Sequence, residues 1–166
     1  MMAVSPLVRY FTGERNESFL FLFLGIIGFF LSLYLIFSLK EKFWIGLAIP
    51  VILVSLLEIM VGTTLIIRSP KDIVRVQAYL HTEKIKTEEI PRMEKVMRNF
   101  IVFRYSEIFL MVAGLFLMFG FSPQEFRTGI GLGLFSQAGI VLILDFFAER
   151  RGKEYLKFLL SISDSF

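Results

Sequence analysis

Four long apolar runs divide the chain, at residues 18–39, 43–67, 100–121 and 128–147. A helix that crosses a membrane needs about 20 mostly apolar residues at ~1.5 Å each, and every run reaches that length. The first run is longer than the core of a signal peptide and no small-residue cleavage site follows it, so we expect it to be retained. The pattern predicts an all-α integral membrane protein, a bundle of four transmembrane helices in a single membrane domain.

Shorter amphipathic patterns lie outside these runs. Residues 69–100 predict a cytoplasmic helical hairpin, whose first helix would begin with Ser69 as its N-cap. No stop signal separates its second helix from the third apolar run, so one helix over about 88–120 would extend well into the cytoplasm. Residues 150–163 predict a C-terminal amphipathic helix that lies on the membrane surface or packs on the middle segment, and residues 5–11 resemble a smaller version of it.

The basic residues predict the orientation of the bundle. Fifteen of the 18 Lys and Arg residues fall at the N-terminus, around the segment between the second and third runs, or in the C-terminal tail. The other three, Lys40, Lys42 and Arg127, belong to the two short connections on the opposite side. Cytoplasmic loops carry the excess of positive residues. We therefore expect both termini in the cytoplasm and a location in the plasma (inner) membrane.

Composition and motifs exclude several classes of function. The chain has no cysteine and a single histidine, His81, which excludes disulfides, thiolate metal sites and histidine-rich metal sites. The glycines at 129–133 lack the preceding strand that a phosphate-binding turn requires. No nucleophile–base pair or metal motif is present. We expect no enzyme activity, no cofactor, no metal and no nucleic-acid partner.

Glu58 and Gln137 are polar residues deep inside apolar runs. An ionisable side chain near mid-bilayer costs about 3 kcal/mol or more unless it faces the bundle interior. Glu58 is either a proton or cation site or a protonated acid that hydrogen-bonds a neighbouring helix. We favour the second role, with Gln137 as partner, because the two lie at comparable depth. Gly129, Gly133 and Gln137 also recur every four residues, which favours a closely packed helix face.

Arg104, Glu107 and Asp145 fall at the cytoplasmic ends of the third and fourth runs. Arg104 and Glu107 are three positions apart on one helix, where opposite charges pair. Asp145 reaches the same layer from the other helix. We interpret the three as an ion-pair layer that ties these helices together.

Three functions are compatible with these features. The first is a non-enzymatic scaffold or accessory subunit, which contacts membrane lipids and either other subunits or further copies of itself. The second is a small proton- or ion-coupled transporter or channel that uses Glu58. The third is a lipid-modifying enzyme that uses the charged layer at the inner interface. The absence of catalytic motifs favours the first function, a scaffold or accessory subunit.

Overall fold

The computed structural model describes residues 4–80, 82–120 and 124–163, which form four long helices. These are α1 (Val4–Tyr34), α2 (Lys42–Tyr79), α3 (Ile90–Phe119) and α4 (Glu125–Ser163). Five-residue π-helical turns follow α1 at Leu35–Leu39 and precede α3 at Ile85–Glu89. Each helix is long and apolar enough to cross a membrane, which confirms the predicted all-α architecture of four apolar helices. His81, and Phe121 at the predicted end of the third run, lie outside the described residues.

Small residues make the contacts between helices in the apolar part of the bundle. A Cβ atom added to Gly114 of α3 would lie 2.6 Å from the carbonyl oxygen of Gly131 in α4. One added to Gly133 would lie 2.8 Å from the carbonyl oxygen of Leu47 in α2. Large apolar side chains point outward instead, with at least 60% exposure for Phe23, Phe30, Phe37 and Phe109. Small residues inside and large ones outside are typical of helices packed in lipid.

The helices do not all pack on one another. By backbone proximity α2 lies against α1 and α4, whereas α3 lies against α4 alone among the long helices. Within the described residues, α2 and α3 make no close backbone contact. A cleft therefore separates these two helices, and α4 forms its floor.

The largest buried side chains lie outside the apolar runs, where α1 and α3 begin and α2 and α4 end. This terminal core consists of Leu7, Tyr10, Phe11, Val76, Leu80, Ile85, Ile90, Met93, Tyr155 and Leu159. Tyr155 and Leu159 are almost fully buried, so the apolar face of residues 150–163 packs inside the protein. The predicted C-terminal amphipathic helix is thus the last part of α4, and its apolar face is not free to lie on a membrane surface. Leu7 and Phe11, at the start of α1, are also buried in the terminal core, so the apolar face of the N-terminal segment is not free to lie on a membrane surface either.

α2 continues through Ser69 and Pro70, where the sequence predicted the start of a new helix. That prediction was wrong because the Ser69 hydroxyl has a partner elsewhere. It donates a hydrogen bond to Glu14 Oε2 of α1 at 2.7 Å, and Arg68 lies 3.4 Å from the other oxygen of the same carboxylate. These contacts fasten α2 to α1 at the point where proline removes a backbone donor. α3, in contrast, is uninterrupted from Ile90 onward, as the sequence predicted.

Candidate functional site

A cavity of about 330 Å³ lies in the cleft between α2 and α3. Its polar lining residues are Glu58 of α2, Ser106 and Glu107 of α3, and Gln137 and Asp145 of α4. The remaining lining residues are apolar, and none of the lining residues is basic. We call this space the central cavity. It brings four of the five polar residues singled out in the sequence to one place.

Glu58 is the most deeply buried acid of the central cavity, with 4% exposure. Gln137 lines the same cavity and is 8% exposed. Even so, Glu58 Oε1 has no hydrogen-bond partner among the described residues. The hydrogen bond predicted from Gln137 is therefore absent at this oxygen. A buried polar atom without a partner costs free energy, so the described chain leaves this oxygen unsatisfied, and the structural role expected for Glu58 stays a prediction.

Glu107 of α3 and Asp145 of α4 both line the central cavity and lie close enough to influence each other electrostatically. Two ionised carboxylates at such a place repel each other. One oxygen of Glu107, Oε2, is buried and has no hydrogen-bond partner in the part of the chain that the structure describes. Glu58 and Glu107, from different helices, thus both line the central cavity and each have one buried oxygen without a partner.

Arg104 forms its ion pair with Glu149 of α4 and not with Glu107, the partner expected from the sequence. Glu149 is 6% exposed and forms a second ion pair with Lys153, whose Nζ lies 2.7 Å from Glu149 Oε1. The sequence reasoning missed Glu149 because it follows the apolar run. Glu149 lies four residues after Asp145 and therefore on the same face of the helix, and this spacing could have identified it as a further member of the charged layer.

A second cavity, of about 410 Å³, lies next to the central one towards the terminal core. Arg104, Glu107, Asp145 and Glu149 line it together with apolar side chains. Glu107 and Asp145 line both cavities, so this acid pair forms the partition between them. Ionisable groups therefore follow one another from Glu58 in the middle of the bundle to Glu149 near its end.

A separate polar cluster inside the terminal core is fully paired. Glu89, 1% exposed, accepts a hydrogen bond from the Tyr155 hydroxyl at 3.0 Å and two from Arg92 at 2.8 and 2.6 Å. Burial, together with the charge of Glu89, raises the pKa of Tyr155, so the phenol keeps the proton that it donates. Because these groups satisfy one another, the cluster fastens the turn that precedes α3 to α4 and serves the packing of the terminal core.

Carboxyl groups without partners around an apolar cavity can take up protons or bind a cation. Comparison of the chain with known protein families, with curated proteins and with solved structures gave no match, so the interpretation of this site rests on its own geometry.

Proposed function

We propose that this protein moves protons or monovalent cations across a membrane and that the central cavity is the site. The observation that carries this proposal is the pair of unpartnered carboxyl oxygens, on Glu58 and Glu107, at one cavity. Polar residues that only join helices have their hydrogen bonds satisfied, which makes buried groups without partners expensive. Two such acids at one cavity fit a site that binds a proton or a cation during transport.

The acid pair between the two cavities would connect the site with one side of the membrane. Glu107 and Asp145 would take up a proton or a cation that arrives from Glu58, as two acids whose occupancies depend on each other. Arg104 and Glu149 would then form the mouth of the second cavity. Gln137, which both donates and accepts hydrogen bonds, would orient the group bound at Glu58.

We further propose that the four helices cross the plasma (inner) membrane with both termini in the cytoplasm. The terminal core and the first turns of α3, which would extend beyond the bilayer, then lie in water. The concentration of basic residues at this end supports the orientation. The terminal core supports only the position of this end outside the bilayer, because burying large apolar side chains stabilises a protein in water and not in lipid.

Flux measurements in liposomes test the proposed function. With purified protein in vesicles and a potassium diffusion potential, negative inside, a trapped pH dye reports proton entry. We expect wild-type protein to acidify the vesicles faster than protein-free vesicles do. The variant Glu58→Gln, which keeps the shape but cannot release a proton, should match protein-free vesicles. Glu94→Gln removes an exposed acid outside the cavity and should behave as wild type. The same comparison with trapped dyes for sodium and for potassium measures the inorganic cations. Rates independent of Glu58 for all three ions would refute the proposal.

An accessory subunit is the second candidate, and one observation favours it. The cleft between α2 and α3 is not closed by any other helix of the described chain, and a helix of another subunit could occupy it. In that case the protein should copurify with a stoichiometric partner under mild detergent conditions, and the purified chain should carry no Glu58-dependent flux. The lipid-modifying alternative has less support because Arg104 is already paired with Glu149.

A further inference from the structure

The central cavity is open on its lipid side. Leu57 of α2 and Phe103 of α3 form its two lips and are 57% and 51% exposed. Glu58 and Ala138, at its floor, are about 5% exposed or less. Since α2 and α3 make no close backbone contact within the described residues, a molecule dissolved in the bilayer reaches the floor without passing through a closed wall. Access from the lipid favours a ligand that dissolves in lipid.

The lining of the central cavity combines two features that few ligands match. Its walls are largely apolar side chains from all four helices, which suits an apolar body. Its charge comes from Glu58 and from the Glu107–Asp145 pair, with no basic side chain among the lining residues. An anion would face only carboxyl groups there, and a neutral apolar ligand would leave the acid oxygens unsatisfied. A positive charge on an apolar body satisfies both features.

We propose that the central cavity binds a hydrophobic organic cation, an ammonium or phosphonium with an aromatic or alkyl body, in competition with protons on Glu58 and Glu107. This inference rests on the proposed function and names the substrate class of the same site. The apolar body would lie against Leu57 and Phe103. The cationic centre would lie over the Glu58 carboxylate, where a proton lies when the ligand is absent.

Competition with protons fixes the sign of the pH dependence. Binding of the cation releases a proton from the acids, so a higher pH strengthens binding. If one proton is displaced, affinity rises by about tenfold per pH unit in the range where the site is protonated. A ligand held only by apolar contacts would show no such dependence.

Isothermal titration of the purified full-length protein in detergent tests the inference. The probes are tetraphenylphosphonium and tetraphenylborate, two ions of nearly the same shape and opposite charge. We expect saturable binding of the phosphonium that strengthens with pH and releases protons, and no saturable binding of the borate. Glu58→Gln should weaken phosphonium binding at least tenfold, while Glu94→Gln should bind as wild type does. Size-exclusion profiles check that both variants are folded, and the pH dependence of wild-type protein tests the competition without any variant.

Two results would overturn the inference. Equal binding of the two ions would show that shape and apolarity alone determine binding, and absence of phosphonium binding would exclude the ligand class. Neither result decides the proposed function, which the liposome assay measures with protons and inorganic cations alone. Glu58-dependent flux without phosphonium binding would leave transport standing and remove only this substrate class.

Discussion

The contact between Gly114 of α3 and Gly131 of α4 should be essential to the position of α3. A methyl group at position 114 would lie 2.6 Å from the Gly131 carbonyl oxygen and 2.9 Å from the Phe135 amide nitrogen. Both neighbours are backbone atoms, which cannot rotate away. Gly114→Ala therefore has to push the two helices apart. Gly139→Ala is the matched control, because a methyl group there would meet only the tip of Met111, at 3.9 Å.

The difference between the two variants isolates the cost of this clash. Both exchange glycine for alanine inside a helix, a change that by itself favours the helix by about 1 kcal/mol. That contribution cancels in the comparison. Forcing an extra methyl group into a closely packed contact costs about 1–3 kcal/mol. At roughly 2–4 °C per kcal/mol for a chain of this size, Gly114→Ala should melt about 2–12 °C below Gly139→Ala.

The assay is the fraction of protein that stays monodisperse on size exclusion after heating in detergent. Thiol-reactive dyes are of no use here because the chain has no cysteine. Equal melting of the two variants would refute the reasoning, since it would mean that α3 and α4 tolerate a larger separation at no cost. A lower melting temperature for Gly114→Ala should also come with altered flux in liposomes, because α3 forms one wall of the central cavity.

Three further predictions concern the topology of the bundle and the contacts near its termini. In the cysteine-free chain, a cysteine at Lys42 should react with an impermeant thiol reagent added outside cells and one at Lys84 should not; the reverse pattern would invert the proposed topology. Tyr155→Phe removes the hydroxyl that donates to Glu89 and should cost about 1.5–3 kcal/mol, measured by thermal melting in detergent against wild type. Arg104→Ala leaves a buried acid with one cation fewer and should cost about 1 kcal/mol, because the arginine is partly exposed; unchanged melting would show that this pair adds nothing.

The sequence predicted the four helices well because the length and hydropathy of each apolar run can be read without knowing what the run packs against. Length and hydropathy alone indicate four helices. The pattern of residues 150–163 also identified an apolar face, yet not what covers it. Its neighbours in the terminal core include Phe11 and Met93, which lie far away in the sequence. Periodicity describes the face of one helix and contains no information about the distant residues that pack against it.

The sequence identified most polar residues of the central cavity, but it did not predict that they line one cavity. Depth in an apolar run singled out Glu58 and Gln137, and charge near the run ends singled out Glu107 and Asp145. Their meeting at one cavity depends on the rotation of each helix and on the gap between α2 and α3. Contacts such as Gly114 on Gly131 set that gap, and their effect on spacing cannot be read from a local pattern.

α3 is supported on one side only. It packs on α4, its first residues Ile90 and Met93 are buried in the terminal core, and neither α1 nor α2 makes a close backbone contact with it. Phe103 and Glu107, which line the central cavity, therefore lie on a helix that α2 does not support. In the proposed membrane orientation, lipid is the neighbour of the unsupported side of α3. We therefore expect a change of bilayer thickness to alter the width of the cleft.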